Sequence, residues 1–209
     1  VACNTASAQA LRRLQQEWLP AHFPNARVLG VIRPVVEHAV AVSRRGRIGV
    51  VGTAGTVSSG AYPRELAAAV NAAGRQWRDG LRVSTAAAPL LVPLVEEGWA
   101  HRPETVRILR RYLAPLRAKR VDTLVLGCTH YPMLLREFRH VMGGQVEVFD
   151  PAAVVARSLA NYLQRHPEIS SRLVRQGATR FLVTDISETF ARMASRWLGG
   201  PVPLERVEV

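Results

Sequence analysis

The chain has 209 residues, 48% of them hydrophobic and 21% charged, which is room for one ordinary core or two small lobes. No apolar run approaches the roughly 20 residues of a membrane helix, and the longest, 86–95, is broken by Pro89 and Pro93, so no membrane partner is expected. The net charge of +12 comes almost wholly from arginines, with Lys119 the only lysine; they are scattered over helical segments without interleaved aromatics, which disfavours nucleic acid as a partner and suits a small anionic substrate.

Short β-rich runs alternate with helical patterns along the chain. Leu11, Leu14 and Trp18 form a first helical stripe. Strands are predicted over Val28–Ile32, Ile48–Gly52 and Leu81–Thr85, followed by a second stripe of Val106, Leu109, Leu113 and Leu116. Strands over Val121–Leu126 and Val146–Phe149 come next, then a helix over Ala152–Leu163 and a strand over Phe181–Thr184. A last helix, Ile186–Leu198, carries the stripe Ile186, Phe190, Met193 and Trp197. Stripes with a 3.6 period read as core faces. Brief β-branched runs bounded by Gly, Pro, Asp or Thr read as buried parallel strands. The alternation predicts an α/β fold with mainly parallel sheets. The chain opens at Val1 on what reads as the end of a strand, so an N-terminal truncation is expected.

Two cysteines are too few for a disulfide framework, and no C-x-x-C spacing suggests zinc or a dithiol redox site. Their surroundings echo one another. Val1-Ala2-Cys3-Asn4-Thr5 and Leu126-Gly127-Cys128-Thr129-His130 each run from small or apolar residues through Cys to two polar residues and a helix start. A thiol between a strand and a helix lies where α/β sheets bind ligands, near free N–H groups and the positive end of a helix dipole. One such cysteine reads equally well as an inert core residue; two in matching contexts point to chemistry.

Two thiols on facing lobes suit racemisation. That reaction removes the Cα proton on one face and returns a proton on the other, so it needs one thiolate and one thiol that exchange roles with substrate handedness. The alternative route, through pyridoxal phosphate, needs a lysine. Lys119 stands just before a strand, at the wrong end for a site, so no cofactor is expected.

The two cysteine blocks, continued as Ala6-Ser7-Ala8 and Tyr131-Pro132, resemble the signature blocks of bacterial glutamate racemase. Gly30-Val31-Ile32-Arg33-Pro34, Gly52-Thr53-Ala54-Gly55-Thr56-Val57 and Val92-Pro93-Leu94-Val95-Glu96-Glu97-Gly98 are similar to that family too, in its order. The resemblance implies two similar three-layer lobes with the active site in the cleft between them, the first built from 1–31 plus 152–209 and the second from 32–151. It implies Cys3 and Cys128 as proton donor and acceptor, and Asn4, Thr5, Thr129 and His130 as substrate-binding residues. It implies, too, that His130 tunes or reprotonates Cys128, where a structural helix-entry histidine is the alternative, and that Glu96 is the acidic helper of the second lobe, where a solvated surface residue reads equally well. Thr53 and Thr56 suit either a site wall or a helix cap, and Trp99 and Tyr131 either core or dimer contact. A cytoplasmic, cofactor-independent enzyme that supplies D-glutamate for peptidoglycan follows from the same resemblance, with glutamate as small-molecule partner and a homodimer as its assembly. The family's leading Asp-Ser-Gly and Pro-Tyr-Gly blocks do not occur, which leaves an inactive racemase fragment as an alternative, beside another racemase or a decarboxylase of the same superfamily.

Overall fold

A computed structural model of the chain describes residues 1–174 and 176–208. The chain divides into two compact units, 1–162 and 163–209.

The first unit is organised by a four-stranded sheet of order β2-β1-β3-β4, with β1 at Arg47–Gly52, β2 at Arg82–Ala87, β3 at Thr123–Gly127 and β4 at Glu147–Val148. All three pairings are parallel. A parallel neighbour needs a crossover, and helices supply each one. Helices α1 (Asn4–Gln9), α2 (Leu11–Arg13), α3 (Leu19–His22) and α4 (Ile32–Val42) precede the sheet. Between β1 and β2 lie α5 (Ala54–Ser58) and α6 (Ala61–Ala73); between β2 and β3 lie α7 (Leu91–Glu96) and α8 (Pro103–Ala118). A 3-10 turn at Tyr131–Leu134 and α9 (Leu135–Met142) join β3 to β4, and α10 (Pro151–Arg165) follows.

Side chains alternate across a strand. Ile48 and Val50 of β1 and Val125 of β3 therefore share one face, where they pack with Val35, Val36 and Ala39 of α4 and Tyr62 and Leu66 of α6. Val51, Leu124 and Leu126 are left for the opposite face, where α8 packs against β2 and α9 and buries Leu109, Leu113 and Leu116. The second helical stripe is thus a core face, as its period predicts.

The register places Gly52 beside both Ala87 and Gly127. The carboxyl ends of β1 and β3 are level, so the residues that follow them, Thr53 and Cys128, emerge side by side. Among the described residues no helix is long and apolar enough to cross a membrane.

The second unit carries α11 (Pro167–Ser170), β5 (Phe181–Val183), α12 (Glu188–Leu198) and β6 (Leu204–Arg206), with β5 and β6 paired in parallel. β6, which follows Pro203 and is two-thirds Glu205 and Arg206, is too short and too polar to be read as a strand from sequence.

Three expectations need correction. Val28–Ile32 is not a strand: residues up to 30 are irregular and α4 begins at Ile32. No ladder partner meets this run among the described residues. Instead Gly30 presses against Leu11, so closely that a Cβ there would lie 2.2 Å from the leucine side chain. The first stripe is only partly a core face, since Trp18 is 45% exposed and stacks on His22 at 4.8 Å between ring centroids. No residue of α12 is fully buried: Met193 and Trp197 are half-buried while Ile186 and Phe190 are exposed, so its apolar stripe is only partly a core face.

Candidate active site

Every candidate residue of the sequence lies in the first unit, at the carboxyl ends of β1 and β3 or on the helices beside them. Cys3 caps α1 with extended backbone, and its Sγ accepts from the Ala6 amide at 3.5 Å. It is exposed, whereas Cys128 is buried.

Hydroxyls hold α1 to the end of β1. Thr5 Oγ1 lies 2.9 Å from Thr53 Oγ1 and 3.1 Å from Thr56 Oγ1, and Thr53 donates to Thr56 at 3.0 Å. Thr53 also caps α5 by accepting from the Thr56 amide at 3.1 Å. The capping reading is therefore correct for this residue, and the same hydroxyl meets Thr5 of α1. Gly55 permits the approach, because a Cβ there would stand 3.1 Å from the Thr5 methyl. Thr53→Val should cost about 1–2 kcal/mol, the usual loss for a removed N-cap. A denaturant midpoint equal to the parent's would show that the triangle of hydroxyls contributes nothing.

Asn4 is buried, and its Oδ1 accepts from the Tyr62 hydroxyl at 2.6 Å. That contact commits the carbonyl end of the amide and leaves the NH2 end to donate. Tyr62 is a partner of candidate residue Asn4 that sequence reading missed: a tyrosine near the start of a helix looks like ordinary core, and Asn4 is 58 residues away. Its ring also explains Gly127, where a Cβ would lie 3.1 Å from the ring and from the Val51 carbonyl. Burial, and secondarily the charge of a Cys128 thiolate, push the Tyr62 phenol far above its ordinary value, so it stays a donor.

Around the second thiol, Cys128 Sγ lies 3.9 Å from His130 Nδ1, and His130 Nε2 lies 3.1 Å from Glu96 Oε1. Thr129 Oγ1 adds a contact to His130 Nδ1 at 3.5 Å. With Glu96 accepting from Nε2–H, a neutral ring presents Nδ1 as an acceptor toward the Cys128 S–H. The order carboxylate, imidazole, nucleophile-type atom is that of an oriented base beside an activated group. Glu96 ends α7, and Tyr131 ties the two loops together by donating to the Ala88 carbonyl at 2.9 Å. Tyr131 is fully buried core, whereas Trp99 is 43% exposed.

Burial pushes the Cys128 thiol up; negative charge at Cys3 and Glu96 acts the same way, against the backbone N–H groups of His130 and Tyr131. Cys128 therefore holds its proton to higher pH than an ordinary thiol. Two consequences can be measured. Iodoacetamide should alkylate Cys3 well before Cys128 at neutral pH, with the gap closing as pH rises; equal rates throughout would contradict the difference in burial. The native thiol also holds its proton to higher pH than the unfolded one. Its contribution to stability is thus complete below the unfolded pKa of about 8.5 and is lost as pH rises above that value toward the native one.

Comparison with known proteins follows the same residues. The profile of the Asp/Glu/hydantoin racemase family matches residues 1–159. The chain is 42% identical over 200 residues to the glutamate racemase of Geobacter metallireducens, covering 96% of this chain and 68% of that protein. In structure it is similar to a glutamate racemase isoform from Bacillus anthracis, with a TM-score of 0.81 and 30% identity over 100% of this chain and 74% of that one. It is similar, too, to the glutamate racemase of Thermus thermophilus in complex with β-chloro-D-alanine, with a TM-score of 0.75 and 33% identity over 100% and 72% of the two chains.

Proposed function

The chain belongs to the Asp/Glu/hydantoin racemase family, and on that premise we propose that it interconverts L- and D-glutamate with Cys3 and Cys128 as paired acid and base. The observation that carries the mechanism is the asymmetry of the thiols. One is exposed and the other is buried, where burial favours its protonated form.

In one direction, the thiolate of one cysteine takes the Cα proton and becomes a thiol, leaving the electron pair on Cα and its carboxylate. The opposing thiol then delivers its proton to the other face and becomes the thiolate. The cycle needs no oxidant and no net proton. His130 and Glu96 set the protonation of Cys128 through Nδ1. The Asn4 amide and the hydroxyls of Thr5, Thr53, Thr56 and Thr129 offer neutral donors for the substrate carboxylates, and neutral donors do not compete for the Cα proton.

The proposal extends to a cytoplasmic enzyme that supplies D-glutamate for peptidoglycan and works as a homodimer, with exposed Trp99 as a candidate contact. It also retains a bipartite lobe of 1–31 plus 152–209 beside a lobe of 32–151. What supports that division is that β1–β4 all fall within 32–151 and β5–β6 within 152–209. Positions 175 and 209 of that range lie outside the described residues.

The test is incubation of L-glutamate in D2O without added cofactor, following loss of ellipticity and Cα deuteration together. Both should proceed. Racemisation of aspartate or another amino acid but not glutamate would move the assignment within the family, and no exchange with any amino acid would end it.

A further inference from the structure

At the opposite end of the sheet lies a cavity of about 230 Å3, lined by Arg47, Arg82, Ser84, Lys119 and Val121. We propose that this cavity is a binding site for a small multivalent anion of the diphosphate class, separate from the thiol site.

The strand register makes the charge unavoidable. Arg47 of β1 and Arg82 of β2 are direct partners in a parallel pair, and like charges in that position repel. Ser84, two residues on from Arg82, falls on the same face of β2 and adds a hydroxyl. The only lysine of the chain completes the wall.

Counter-charge is scarce. Arg47 Nη2 reaches Asp79 at 3.2 Å. Among the described residues no carboxylate pairs with Arg82 or Lys119. The Arg47 Nε–H is shut off from solvent and has no acceptor, and a buried guanidinium donor without one costs stability. A second cavity of about 240 Å3 shares Val121 and adds Arg45, Arg117 and Arg120, of which, among the described residues, only Arg45 has a carboxylate partner, Asp122.

Size and chemistry agree on the ligand. The first cavity has the volume of about eight waters, enough for a diphosphate group and too little for a folded partner. Forked guanidiniums beside a lysine match phosphate oxygens, which accept two parallel hydrogen bonds from one arginine. The site stands apart from the chemistry: β1 alone, six residues long, separates Arg47 from Gly52 by roughly 17 Å.

Isothermal titration of the intact chain with inorganic pyrophosphate tests the proposal. One saturable site is expected, with a rise in Tm on binding. Arg82→Gln and Lys119→Gln should each weaken binding by roughly tenfold or more, as loss of a charge-assisted hydrogen bond does. Arg107→Gln, an exposed residue of α8 outside both cavities, removes the same charge and should leave the affinity unchanged. If Arg107→Gln weakens binding as much as Arg82→Gln, the anion is held only by the general positive field and the site is refuted. Absence of saturable pyrophosphate binding to the parent refutes it as well. Glutamate turnover is read separately, so failure here leaves the racemase assignment untouched.

Discussion

Cys128→Ser should lower racemisation of glutamate in both directions by about 10²–10⁴-fold, the usual contribution of a positioned acid or base. The substitution is nearly isosteric in a buried position at the end of β3, so the fold and the His130–Glu96 pair should persist. What changes is acidity. A serine hydroxyl neither ionises in the working range nor gives up its proton to a carbanion as a thiol does. The two thiols are proposed to serve opposite faces, so the variant should also split two signals that move together in the parent. The enantiomer whose proton faces Cys3 should still lose it to D2O without inverting, whereas its mirror image should neither exchange nor invert. Parent-like racemisation from both enantiomers would remove Cys128 from the mechanism.

Much of the fold is legible in the sequence, for a physical reason. Buried parallel strands are short continuous apolar runs, and the central strands β1 and β3 announce themselves that way, while β2 and β4 at the sheet's edges are mixed in polarity yet still fall within two residues of their expected ends. The 28–32 run has the same composition but fails as a strand, because strand formation needs a neighbour, and this segment meets the side of Leu11 instead. The stripe on α12 has a helical period and forms a helix, yet period alone does not say whether a surface exists to cover it. At the site, Cys3 and Cys128 can be read from their local blocks. Three other features cannot, because they are contacts between distant segments: Tyr62 on Asn4, the hydroxyl triangle of Thr5 with Thr53 and Thr56, and the level ends of β1 and β3. Asp122 is silent for a different reason. An aspartate before a strand normally marks a solvated turn, and nothing in sequence reveals that this one is buried.

Asp122→Ala should therefore cost more stability than loss of the Thr53 cap, about 3 kcal/mol, because it breaks a buried hydrogen-bond network at its centre. Asp122 is buried with three close donors: the Ser43 hydroxyl at 2.7 Å, the Thr123 hydroxyl at 2.9 Å and the Arg45 amide at 2.6 Å. Ser43 passes the link on by accepting from the Gly46 amide at 3.0 Å. Removing the carboxylate strands buried donors at once, and a buried donor without an acceptor loses its desolvation cost outright. The Arg45 guanidinium adds little to the loss, since at 3.8 Å it is half exposed and returns to water. For a chain of this length, about 3 kcal/mol corresponds to a Tm lower by roughly 6–12 °C. Asp122→Asn keeps the shape and one acceptor oxygen, and should fall between the parent and the alanine variant. The cluster ties the start of β1 to the start of β3, the two strands whose far ends set Thr53 beside Cys128. If the lock only maintains that register, glutamate turnover at 25 °C should survive in the fraction that remains folded, with the loss confined to heat and denaturant. An unchanged Tm would mean that water replaces the carboxylate at no cost, and that the strand register is held by the apolar layers alone.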